Sequence, residues 1–245
     1  MIASTAARPL ARRARLGSAL GFAAWLAVLA PATSAVAQVA PTASEIAAYG
    51  GLHAAAARGD VAAIVRLAAA DPSALNASDA RGRTPLHVAT FARKAGAIVA
   101  LARAGAALEA LDDDRYDAVT IAAVAGDEAT LDVLLALGAS ARQVTSRYDG
   151  TALIAASHLG HVGVVHRLIA AGAPLDHVNN LHWTALIEAV VLGDGGVRHE
   201  ATVRALLEAG ASTKVADRSG RTPLELARDK GYRHIVDQLE RVGAR

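Results

Sequence analysis

The chain has no cysteine among its 245 residues. Disulfides, thiolate nucleophiles and cysteine-based zinc sites are thereby excluded. Aromatic residues are scarce as well: two Phe, two Trp and four Tyr, 3% of the chain against 53% hydrophobic residues in all. Side chains as small as Ala, Leu and Val bury surface only when packed tightly, which suits thin stacked helices better than a thick core. A strong charge excess is missing too, with 25 basic and 23 acidic residues. Three catalytic signatures are also absent: H-E-x-x-H, G-x-S-x-G, and a glycine loop followed by Lys-Ser/Thr.

The first 37 residues differ from the rest. Arg8, Arg12, Arg13 and Arg15 form a basic stretch in a segment without acidic residues, and residues 16–30 (LGSALGFAAWLAVLA) are apolar. Pro31 interrupts that run, and Ala35-Val36-Ala37 supplies a small-x-small cleavage site. This order is that of a secretory signal peptide, and 15 apolar residues fall short of the roughly 20 that span a bilayer. The expected location is therefore periplasmic or secreted in a bacterium, with an uncleaved inner-membrane anchor as the second reading. Losing four arginines turns the net charge from +2 to −2. That removes the basic balance on which a nucleic-acid partner would rest.

The remainder repeats. Aligned on a leucine or valine that opens a short helix, Leu52, Leu86, Val119, Leu153, Leu186 and Leu224 are spaced by 34, 33, 34, 33 and 38 residues. The last spacing becomes 33 without an insertion of five, Asp194-Gly195-Gly196-Val197-Arg198. The strongest copies read Thr84-Pro85-Leu86-His87-Val88-Ala89 and Thr222-Pro223-Leu224-Glu225-Leu226-Ala227. Thr before Pro places a capping hydroxyl at a helix start and a fixed φ at its first position. Seven residues after the anchor stands Gly59, Gly126, Gly160, Gly193 or Gly231, with Arg93 as the exception. That glycine ends the first helix in a left-handed turn, and V-x-x-L-[LI] follows at helical spacing. Gly-Ala closes each later unit, and Asp79, Asp112, Asn179 and Asp217 suit the turns that join neighbours.

This pattern resembles the ankyrin repeat, with its T-P-L-H-x-A signature and 33-residue period. The resemblance covers residues 45–245 and implies an all-α solenoid of six helix-turn-helix repeats joined by β-hairpin-like fingers. The expected organisation is a signal peptide at 1–37, a linker at 38–44, and repeats near 45–78, 79–111, 112–145, 146–178, 179–216 and 217–245. Each unit buries its apolar face only against its neighbours. The first lacks Thr-Pro and the last carries Arg228, Glu240 and Arg241, as capping units should. Arg115 and His182 stand where the finger has glycine, which predicts strained turns.

Sites for chemistry are few. His158-x-x-His161-x4-His166 is the densest group of the nine histidines and gives a His-based metal reading. It lacks the residues and spacing of zinc sites, so capping or solvated histidines are the plainer reading. His53 and His87 hold the T-P-L-H position, where the resemblance implies bonds to finger backbone. Asp112-Asp113-Asp114 reads as a solvated turn, since the spaced ligands of a calcium loop are missing. No catalytic residue and no cofactor is expected.

The resemblance also implies a concave groove, made of the finger tips and the outward side of each first helix. Of the six aromatics in residues 38–245, five fall on those positions: Tyr49, Phe91, Tyr116, Tyr148 and Trp183. Arg81, Arg83 and His158 lie among them. Aromatics ringed by arginine make interface hot spots. The alternative is that the aromatics pack between fingers and only shape the stack. The expected function is non-catalytic binding of a protein or peptide in the groove by a monomer, without nucleic acid, and without membrane apart from the export signal. A dedicated accessory or inhibitor of one exported enzyme is the narrower alternative.

Overall fold

The computed structural model describes residues 38–244. The 1–37 segment, on which the signal reading rests, lies outside them. A short α1 (Ala43–Ala48) precedes six helix pairs: α2 (Gly51–Arg58) with α3 (Val61–Ala70), α4 (Pro85–Phe91) with α5 (Ala95–Arg103), and α6 (Ala118–Val124) with α7 (Glu128–Ala136). The pairs continue with α8 (Ala152–Leu159) and α9 (Val162–Ala170), α10 (Ala185–Val191) and α11 (Val197–Glu208), then α12 (Pro223–Asp229) and α13 (Arg233–Arg241). The first helices of successive pairs pack on one another, as do the second helices. The fold is the expected all-α solenoid of six helix-turn-helix units.

Tight packing of small side chains is visible along the stack. Ala55, Ala56, Ala89, Ala123, Ala156, Ala189 and Ala227 are fully buried, and one apolar cluster runs from Leu52 to Leu239. Larger residues such as Ile64, Leu101, Leu134, Leu168 and Leu206 fill the layer between first and second helices. Helix starts follow the sequence reading. Thr151 and Thr184 cap α8 and α10 by accepting from Ile154 and Ile187 amides, and Thr222 and Glu225 form a reciprocal box. Such a cap contributes on the order of 1 kcal/mol.

Four of the five fingers share one construction. In the 79–83 finger, Asp79 Oδ1 accepts from the Arg81 and Arg83 amides. Asp112, Asn179 and Asp217 do the same in their own fingers. The third finger departs, because Thr145 stands where the others have Asp or Asn. It closes instead as a small hairpin of β1 (Val144–Thr145) and β2 (Gly150–Thr151), with Thr145 paired to Gly150. The turn holds Ser146 and Asp149 at φ 63° and 51°.

Arg115 and His182 take φ 63° and 64°, as their glycine-like positions require, and Arg93 takes 54°. A non-glycine residue there is strained by about 1 kcal/mol or more. Gly193 differs from its counterparts, since its φ is not left-handed. A β-carbon there would collide with the Ala189 carbonyl and the His199 ring, so glycine is needed for space. The insertion is also only half a loop, because Val197 and Arg198 begin α11 and lengthen it to 12 residues. Residues 38–42, read as part of a linker, carry specific bonds: Val39 accepts from Arg83, and Thr42 caps α1.

Candidate binding face

The fingers, the first helices and the turn before α2 carry the sequence-selected residues, all of which reach the surface except Arg83. Each finger is bonded to the one before it: the Asp113 amide donates to Arg81, the Ser146 amide to Arg115, and the Asn180 amide to Tyr148. Tyr49, Phe91, Tyr116, Tyr148 and Trp183 are all half-buried. Trp183 and Tyr49 lean on the core, which is the packing role weighed for them, yet each keeps surface on the face. Burial raises the Tyr116 hydroxyl above its ordinary value, with nearby Asp114 adding to the effect. Arg81 is exposed and pairs loosely with Glu45 at 3.4 Å.

Arg83 corrects the sequence reading. Its position is outward in the repeat, but the side chain is only 1% exposed and offers nothing to a partner. Its Nε donates to Asp79 at 2.7 Å, one terminal nitrogen to Glu45 at 2.7 Å, and the other to the Val39 carbonyl at 3.1 Å. Tyr49 Oη donates to the same Asp79 carboxylate at 2.7 Å. The segment before the first repeat has folded over this arginine and satisfied it. Burial alone would raise Asp79, but the bonds from Tyr49, Arg81 and Arg83 outweigh it and hold the carboxyl at about 2. Arg83 is a structural residue.

The histidines mostly tie repeats together. His53 Nε2 donates to the Arg83 carbonyl, and His87 Nε2 to the Ala110 and Tyr116 carbonyls. His161 does the same to Val124, and His177 to Asp149. The three clustered histidines of the fourth repeat therefore do separate things: His161 bonds backbone, His166 is exposed, and His158 faces Glu188. Among the described residues no three His, Asp or Glu side chains gather as a metal site.

Glu188, in α10, is 5% exposed. Its Oε1 accepts from Asn179 Nδ2 at 3.0 Å, and its Oε2 lies 3.9 Å from His158 Nδ1. Burial pushes its carboxyl up to about 7, against the smaller lowering effect of the Asn179 bond. His158 is pushed down, by burial first and by the neighbouring His199 second. His199 in turn donates from Nε2 to the His158 carbonyl at 2.9 Å and meets Asp194 at 2.7 Å, which pins the insertion. Tyr232, the sixth aromatic of the described residues, donates to the Gly193 carbonyl and packs over Gly195.

A family model described as ankyrin repeats (3 copies) matches residues 52–145, 119–217 and 153–244. The chain belongs to the ankyrin-repeat family. Repeats of this family are protein–protein interaction modules, and the family is generally non-catalytic. A putative ankyrin repeat protein of Escherichia coli, YahD, is 34% identical over 171 residues, which are 69% of this chain and 85% of YahD. The solved ankyrin repeat domain from Acinetobacter baumannii is 42% identical, with a TM-score of 0.73 over 79% of this chain and 98% of that one. One chain of a solved complex from Bdellovibrio bacteriovorus, a predatory endopeptidase with an immunity protein, is 22% identical at a TM-score of 0.65. It covers 79% of this chain and 98% of its own, a likeness of fold alone.

The ankyrin register shows why Glu188 escaped the sequence reading and how it was visible. Two residues after each anchor stand Ala54, Val88, Ile121, Ala155, Glu188 and Leu226. Five are apolar and one is charged. That position is inward in the ankyrin pattern, so the pattern does not mark it as a binding residue. Helical spacing nevertheless puts it beside Val191 and Leu192, three and four residues on, which occupy outward positions of this ankyrin stack.

Proposed function

We propose that this ankyrin-repeat chain is a binding protein whose concave groove takes a protein or extended peptide segment. The observation that carries the reading is the placement of Tyr116, Tyr148 and Trp183. Each is half-exposed, and with Tyr49 and Phe91 they make five of the six aromatics in residues 38–245. Rings of this size anchor interfaces, and the arginines beside them form the polar rim such interfaces use. Arg81 and Arg147 keep their guanidinium groups about half-exposed despite weak pairs with Glu45 and Asp114. Surface pairs of that kind contribute little and are readily exchanged for a partner's carboxylate.

Export is part of the proposal and rests on the basic, apolar and small-residue order of residues 1–37. Among the described residues no helix is long and apolar enough to cross a membrane. N-terminal sequencing of the protein recovered from periplasm tests the cleavage after Ala37. The groove is tested by replacing Tyr116, Tyr148 and Trp183 together with alanine. The expected result is loss of the client captured by the wild type, with the helical circular dichroism unchanged. Capture that survives in the folded variant overturns the reading. Identifying the client from periplasm also separates a general binder from an accessory or inhibitor of one exported enzyme.

A further inference from the structure

Glu188 is a buried carboxylate on the binding face with less support than its burial demands. Each carboxylate oxygen accepts two hydrogen bonds when satisfied, and a buried charge needs pairing as well. Here one oxygen has the Asn179 amide, while the other has no donor from the protein and is not fully shielded from solvent. The groups around it supply no positive charge. From α8, His158 is beyond bonding distance and held toward its neutral form by burial and by His199. From α11, His199 is engaged with the His158 carbonyl and Asp194. From α12, Arg228 is paired with Glu240, Asp229 with Arg221, and Glu225 with Thr222.

The local sequence is built to keep this carboxylate. The finger above it is closed by Asn179, whereas the 79–83, 112–116 and 217–221 fingers use aspartate. Only the amide can both accept the finger's backbone amides through Oδ1 and donate to Glu188 through Nδ2. Aspartate there would set two carboxylates together. The side chain is thus held in place yet left open at Oε2, beside the half-exposed His158 and the finger that carries Trp183.

We propose that Glu188 is the groove's acceptor for a cationic side chain, a lysine or arginine carried by the bound protein segment. The inference rests on the groove-binding reading and assigns one residue of the partner. A cation brought to Oε2 satisfies the open oxygen and supplies the missing opposite charge in a place of weak screening. It also displaces a proton. With its carboxyl raised to about 7, Glu188 is largely protonated just below neutral pH. Binding a cation then converts the acid and the cation into an ion pair, with one proton released to solvent. Affinity therefore weakens about tenfold for each pH unit below about 7, and levels off above it, where the carboxylate is already ionised.

The test uses N-acetyl-arginine amide as probe, with N-acetyl-leucine amide as control, added to the folded protein carrying 13C-labelled glutamate carboxyls. The arginine probe is expected to shift the Glu188 signal, to lower its titration midpoint by a unit or more, and to bind about five- to tenfold more weakly at pH 6 than at pH 8. Glu188→Gln keeps an acceptor for Asn179, so it should fold, and it should bind the arginine probe weakly at both pH values. An arginine probe that leaves the Glu188 midpoint unmoved overturns the proposal, as does equal binding to the Gln variant. Leucine amide binding as well as arginine amide overturns the cation assignment while leaving the groove standing. A client released by the triple aromatic variant but held by Glu188→Gln, with no pH dependence, does the same.

Discussion

Two buried charges on the same face, Arg83 under the first finger and Glu188 under the fourth, have opposite surroundings. Arg83 has three acceptors within 3.1 Å, supplied by its own finger and by the segment ahead of the first repeat. Glu188 has one donor and a neutral neighbour. Charge buried with full partners stiffens the end of a stack that would otherwise be capped only by small residues. Charge buried with too few partners weakens the fold where it sits, and such places are where a ligand completes the set. Exposure did not separate the two roles, since both groups are almost inaccessible. The count of satisfied atoms did.

The contrast is broken most directly at Arg83. Arg83→Ala strands Asp79 and Glu45 and should lower stability by about 3 kcal/mol, the range for removing one partner of a buried pair. Urea titration measures it, and a loss below 1 kcal/mol would show that the network is ornamental. The acids of this network are held low, Asp79 at about 2 and Glu45 also at about 2, the latter chiefly by Thr42 and then Arg83. Their contribution is present above the ordinary carboxylate range and is lost as pH falls from about 4 through about 2.

Glu188 behaves in the opposite sense. Its folded value lies above its free value, so the folded state holds the proton more tightly. Stability from this group is full below about 4.5 and declines as pH rises through about 7. Glu188→Gln should therefore be more stable than the wild type at pH 8, by about 3 kcal/mol, and nearly indistinguishable at pH 4.5. Thermal melts at both pH values check it. The same offset at both would mean that the ionisation does not matter. The smallest effect is expected within the fourth finger, at its strained turn. His182→Gly relieves a left-handed φ of 64° and should raise stability by about 0.5 kcal/mol, after the entropy of the added glycine is deducted.

What the sequence showed and what it hid divide along one line. Helix starts, the left-handed ends and the layer of buried alanines depend on residues close in the chain, and the spacing of Thr84, Leu86 and Gly126 was enough to place them. Arg83 was misjudged because its burial comes from Val39 and Glu45, about 40 positions earlier, in a stretch read as linker and cap. Glu188 is not marked by local spacing because its meaning lies in contacts across two repeats, His158 in the fourth and Asn179 in its own, and in the apolar residues of the matching columns. Thr145 carried a weaker hint. Its failure to match Asp112 and Asn179 marked the one finger that closes as a hairpin rather than around a carboxylate or amide.

The bonds between fingers have a mechanical consequence. The first four fingers are joined amide to carbonyl, one bond per step, whereas the last step rests on the Arg218 side chain reaching the Asn180 carbonyl at 2.9 Å. Stretched from its two ends, the stack behaves as a short spring whose coils are latched along one edge, with the final latch made of a flexible lever. Under load the C-terminal unit should peel away first, at the lowest force, leaving the coils that carry Tyr116, Tyr148 and Trp183 still closed.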